Sequence, residues 1–113
     1  MLPRIIGLGR AAELLYTGRA MPGTQALDWG FLNEVCDPEF LQARATELAR
    51  TLAEGPALAH AMTKRMLLEE WAMPLAAAID AEATAQAECM THNDFKRAYA
   101  AFVAREPVRF EGD

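Results

Sequence analysis

The chain reads as a series of short apolar stripes at helical spacing, each bounded by glycine or proline. Its most structured stretch runs from Gly9 to Val35. There Ala11, Ala12, Leu14 and Leu15 set an apolar face at i, i+3 and i+4, and Gly18 stands where a helix closes on a left-handed residue. Ala26, Leu27 and Trp29 load a second helix of about two turns, which Gly30 ends. Phe31-Leu32-Asn33-Glu34-Val35 then predicts a short strand. Upstream, Pro3 suits a first helical turn, where its missing N–H costs nothing.

Asp37-Pro38-Glu39 opens a third helix with an acceptor side chain, a proline and an acid near the positive end of the dipole. Leu41, Ala45, Leu48 and Leu52 give it one buried stripe as far as Glu54. Gly55-Pro56 stops that helix and starts a fourth, Pro56 to Trp71, whose stripe is Leu58, Met62, Met66 or Leu67, and Trp71. A fifth, Pro74 to Met90, carries Leu75, Ile79, Ala83, Gln86 and Met90 on one side. Small residues elsewhere on it allow close approach of neighbouring helices. Thr91-His92-Asn93-Asp94 caps a last helix with Phe95, Ala98 or Tyr99, and Phe102 on its stripe, and Pro107 prevents its continuation into the tail. The expectation is a mainly α chain with one isolated strand. Such a strand cannot satisfy its own backbone groups, so it needs a partner from outside this segment or must behave as a loop.

Composition narrows the class. With 113 residues, 52% of them hydrophobic and 24% charged, the chain suits one globular domain, short for an enzyme that must also enclose a ligand. A net charge of −5 and the lack of a basic recognition helix argue against nucleic acid as a partner, but leave room for an anionic small molecule held by a few local cations. No apolar run approaches the roughly 20 residues of a membrane span. Met-Leu-Pro-Arg has no signal-peptide core, so a cytoplasmic location is expected.

Candidate chemistry is sparse. Asp80, Glu82 and Glu88 do not pair across one helical face, and with Glu69 and Glu70 they read as solvated charge. His60 and His92 lack ligand-spaced partners, so no metal is expected; His92 belongs to a helix start. Cys36 and Cys89 read as small buried hydrophobes without a visible histidine partner. No residue of this chain is assigned a catalytic role.

Three pieces together point to a family. Leu2-Pro3-Arg4-Ile5-Ile6-Gly7, Leu14-Leu15-Tyr16-Thr17-Gly18-Arg19 and Ala26-Leu27-Asp28-Trp29-Gly30-Phe31-Leu32 occur in the order and spacing of the enoyl-CoA hydratase/isomerase (crotonase) family, which the chain therefore resembles. Pro22-Gly23 replaces the usual Ser/Asp-type start of the second helix. Phe102-Val103-Ala104-Arg105-Glu106-Pro107-Val108-Arg109-Phe110 resembles the family's closing Phe-x-x-Lys-Arg-x-Pro-x-Phe region, with Glu106 where a second basic residue is common.

The resemblance covers essentially the whole chain and implies the C-terminal helical trimerisation or lid region of a crotonase-like fold, lacking the N-terminal β-spiral core. Residues 1–54 would hold the first helices, the short strand and the third helix, and residues 55–113 the lid and oligomerisation segment. It implies an acyl-CoA thioester as substrate, no separate cofactor, an enolate stabilised by two backbone N–H donors, and a trimeric or hexameric parent. The oxyanion hole and the hydratase glutamates would lie outside this segment. The CoA contacts it implies here are Phe102, an aromatic face for adenine, and Arg105, a cation for a phosphate, both toward an adjacent subunit; Lys64 matches a recurrent Thr-Lys position. Read from the residues alone, Phe102 is equally a core residue, Arg105 a helix-end cation and Lys64 a solvated one. The alternative function is a stand-alone helical oligomerisation or interaction module.

Overall fold

The computed structural model describes residues 1–113, and its only regular elements are helices. They are α1 (Leu2–Ile6), α2 (Leu8–Thr17), α3 (Gly23–Asp28), α4 (Leu41–Ala53), α5 (Ala57–Glu69, continued by a 3-10 turn over Glu70–Ala72), α6 (Leu75–Thr91) and α7 (Asn93–Ala104). The chain divides into two compact units, residues 1–43 and 44–113.

In the first unit α1 packs on α2, and Ile6, Ala11 and Ala26 are its buried apolar residues. Gly18 ends α2 in the left-handed conformation foreseen for it, φ 62°, with its N–H on Leu14 C=O. The segment after it is organised by one side chain. Arg19 donates to Glu13 Oε1 at 2.8 Å and to Gln25 Oε1 at 2.9 Å, and its guanidinium lies 5.3 Å from the centre of the Trp29 ring. Arg10 lies 5.2 Å from the same ring. The Thr-Gly-Arg and Trp-Gly pieces of the sequence are therefore two halves of one knot joining α2 to α3.

The predicted strand is absent. Gly30, φ 75°, ends α3 in a Schellman turn: Phe31 N–H donates to Ala26 C=O at 2.8 Å and Gly30 N–H to Leu27 C=O at 2.9 Å. Leu32 N–H also reaches Ala26 C=O, at 3.2 Å. The first two donors of the would-be strand are thus spent on the helix end, and no second strand offers a ladder. The Asp37-Pro38-Glu39 start is also corrected: Pro38–Phe40 form a turn, and regular helix begins at Leu41.

In the second unit α5 packs on α6 and α6 on α7. On α5, Leu58 and Met62 are half-buried and Met66 buried, while Leu67 faces out. On α6 the inward face is the small one: Ala78, Ala81, Ala85 and Cys89 turn in, and Leu75, Ile79 and Met90 turn out. The expected close approach through small residues is observed, whereas the expected burial of the large stripe is not. None of the residues of α4 is buried, although Leu41, Leu48 and Leu52 are spaced as a stripe should be. The apolar faces exist; within this chain nothing covers them.

Candidate functional site

Phe102 and Arg105 share the last turn of α7. The helix ends as α3 does: Glu106 N–H donates to Ala101 C=O at 3.0 Å and Arg105 N–H to Phe102 C=O at 3.2 Å, which puts Arg105 at the left-handed position, φ 58°. It is the only residue other than glycine with positive φ. Phe102 is 82% exposed and lies beside exposed Tyr99 and Val103, so the core reading of Phe102 does not describe this structure. The inward residues on this part of the helix are Ala98 and Ala101. An open aromatic face and a cation thus stand one turn apart at a helix end.

Lys64 lies elsewhere, on an open apolar groove of about 470 Å³ lined by Leu52, His60, Thr63, Leu67 and Leu68, none of them from α7. His60, Thr63 and Lys64 follow the i, i+3, i+4 spacing that brings polar groups to one helix face. The structure thus brings Phe102 and Arg105 together and places Lys64 in a different groove.

Of the acids read as solvated, Glu70 departs: it lines a cavity between α5 and α6 together with Gln86 and Glu82, and its Oε1 is buried without a hydrogen-bond donor, whereas Glu82 is exposed as expected. Cys89 is half-buried, as expected of a small apolar residue, yet it shares an apolar cavity of about 150 Å³ with His92, Phe95 and Phe110. His92 sits at the helix start, as its place in the sequence predicts: its Nδ1 accepts from Asp94 N–H at 3.4 Å.

The strongest electrostatic cluster was not singled out by sequence. Asp94, 2% exposed, accepts from Glu111 N–H at 2.9 Å, Gly112 N–H at 3.0 Å and Arg97 Nη1 at 2.8 Å. Arg97 also donates to Glu111 at 2.9 Å and pairs with Asp113. These bonds hold the Asp94 carboxyl below its ordinary range, the Glu111 N–H contributing most and burial opposing, while Arg97 holds Asp113 low and is itself raised by its pairing with Asp113 and Asp94. An acid in the first turn of a helix with an arginine three residues on was the available signal, but its partners lie 17 and 18 residues away in sequence.

The enoyl-CoA hydratase/isomerase family matches the chain over residues 1–113, and the chain belongs to that family. Among solved structures it superposes with a TM-score of 0.95 and 42% identity on a protein of Streptomyces coelicolor A3(2) described as a candidate enoyl-CoA hydratase, covering 99% of this chain and 41% of that one. It is 30% identical over 112 residues to the 1,2-epoxyphenylacetyl-CoA isomerase of Escherichia coli K12, covering 99% of this chain and 43% of that protein. It is 31% identical over 105 residues to a 4-chlorobenzoyl coenzyme A dehalogenase of an Arthrobacter species, covering 93% of this chain and 38% of that protein. The chain therefore spans about two fifths of the length of these curated relatives. No helix is long and apolar enough to cross a membrane.

Proposed function

We propose that this chain is the helical C-terminal portion of an enzyme acting on acyl-CoA thioesters through an enolate held by two backbone N–H donors, with hydration of a 2-enoyl-CoA as the default reaction. The helices cover the acyl-CoA pocket and supply the contacts of a trimeric or hexameric parent. At the close of α7 the Phe102 ring stacks on the adenine and the Arg105 guanidinium forms charge-assisted hydrogen bonds to a phosphate. Arg109 adds a second cation that offsets the neighbouring Glu106 carboxylate, and Lys64 contributes from α5.

The observation that carries this reading is the open apolar surface of α4, α6 and α7 in a chain that matches relatives along its whole length and spans two fifths of theirs. Three of those relatives are named for reactions of CoA thioesters: an isomerisation, a dehalogenation and a hydration. Their common ground is the carrier, not the acyl group, and a CoA-side role fits residues that sit apart from any pair of converging acids.

The test has two arms. The chain alone should give no hydration of a short enoyl-CoA above a buffer control; turnover would overturn the assignment of the reactive groups to another segment. CoA titrated into the chain should bind, and Arg105→Ala should weaken that binding about tenfold, the loss of one charge-assisted contact. A monodisperse oligomer indifferent to CoA would instead mark a stand-alone interaction module.

A further inference from the structure

Residues 106–113 return along α7 instead of leaving it. The return begins at Arg105, whose left-handed turn reverses the chain at the C-terminal end of the helix. It finishes at the other end, where Asp94 accepts the N–H groups of Glu111 and Gly112 and Arg97 clamps Glu111 and Asp113. Between the two, Phe110 faces the apolar cavity it shares with Leu58, Phe95 and Ala98, and a Cβ placed on Gly112 would lie 3.9 Å from that of Ala57. From Asp94 to Arg105 the helix rises about 16 Å. Arg105 to Glu111, fully extended, reach about 20 Å. An extended chain is needed to join the turn to the anchor.

We propose that residues 106–113 form a strap, turned at Arg105 and latched on Asp94, and that the latch keeps Arg105 in its left-handed turn. An extended segment fixed at one end limits the directions in which it can leave the other. The left-handed conformation is disfavoured for arginine, so an anchor that requires it supplies the compensating free energy. The anchor is strong for a local reason: a carboxylate withdrawn from water must keep its donors, and release of the tail would strip Asp94 of two of them at once. This rests on the preceding reading only for its consequence at the ligand: with Arg105 on a CoA phosphate, Asp94 and Arg97 are positioning residues for that contact.

The experiment is residue-resolved hydrogen exchange in the full chain, with CoA titration alongside. Asp94→Asn keeps the shape but loses the charge; Arg97→Gln keeps both Asp94 acceptors and removes the clamps on Glu111 and Asp113, and serves if the first variant folds poorly. In both, the Glu111 and Gly112 amides should exchange at least tenfold faster than in the parent. The Glu106 amide, which reports the turn through its bond to Ala101 C=O, should follow them. Trypsin should cut faster after Arg109, and the helical circular dichroism should hold. Unchanged exchange at Glu111 and Gly112 sinks the latch. Release there with Glu106 still protected sinks its coupling to the turn. For the ligand, CoA affinity should fall in the latch variants as it does in Arg105→Ala. If Arg105→Ala weakens CoA binding and the latch variants do not, the positioning role is overturned. If neither changes affinity, the CoA reading fails and the exchange data alone decide on the strap.

Discussion

Arg105 stands in a backbone region where a β-carbon crowds the following carbonyl, at a cost of about 1–2 kcal/mol that glycine does not incur. Helices that end in this turn commonly place glycine there, and α2 and α3 do so with Gly18 and Gly30. Arg105→Gly should therefore raise stability by about 1 kcal/mol, read as a higher urea midpoint at constant slope. It should also weaken CoA binding, because the guanidinium is gone. The two signs oppose each other, which separates a side chain retained for its chemistry from one retained for the fold; a fall in stability would show that the side chain's packing outweighs the strain. Asp94 makes a second residue-level prediction. Its carboxyl titrates lower in the folded chain than in the unfolded one, chiefly through the Glu111 N–H. A lowered carboxyl stabilises fully above its unfolded value of about 3.9 and loses that contribution as pH falls through the folded one. His92 and Arg97 are the charged or titratable groups facing it, Arg97 also pairs with the Glu111 and Asp113 carboxylates, and Cys89 lies on the same cavity. The strap should stay closed from neutrality down to the unfolded carboxyl value and open only as pH falls further, through the lower folded one, seen as loss of protection at Gly112 after correction for intrinsic exchange rates.

Among the elements, α3 and its exit show what pattern reading can and cannot reach. Gly30→Ala should destabilise the first unit by about 1 kcal/mol, since alanine at φ 75° loses the freedom that lets the Schellman turn form. Thermal unfolding of the variant checks this, and a change below a few tenths would mean that the turn relaxes. The glycine stops at Gly18 and Gly30, the cap at His92 and the punctuation at Pro56 and Pro74 were all legible, because each acts through its own backbone within one turn. The strand was not. Phe31 and Leu32 have strand-like side chains, but their N–H groups belong to the end of α3, and side-chain pattern does not record where a donor is spent. The face of α6 differs from its pattern for a related reason. The pattern points Leu75, Ile79 and Met90 inward, whereas Ala78, Ala81 and Ala85 do the packing and let the helices approach closely. Of the candidate site, the Phe102 and Arg105 pair was legible as a motif at one helix end. The strap behind it was not, because Asp94 meets partners far along the chain.

At the scale of the molecule, the open area is larger than two units of this size require. Two separate folded units of 43 and 70 residues would together expose about 7,400 Å². The chain exposes 8945 Å², an excess of about 1,500 Å², more than the roughly 800 Å² that each partner gives to a standard interface. Part of it is the outward row of α6, where Leu75 is 78% exposed. That residue tests whether the row is a docking face. Leu75 opens α6, and an acid in the first turn of a helix interacts favourably with the dipole, so Leu75→Glu should leave the stability of the isolated chain within about 0.5 kcal/mol. If the row meets the rest of the proposed parent protein or a neighbouring subunit, the same substitution buries a carboxylate with no partner, and several kcal/mol of association free energy are lost. Sedimentation velocity on the proposed parent assembly should then show dissociation of the variant, while circular dichroism of the isolated chain is unchanged. An assembly that tolerates the glutamate at full occupancy would leave Leu75 facing water in the whole protein, and would shift the interface to α4 or α7.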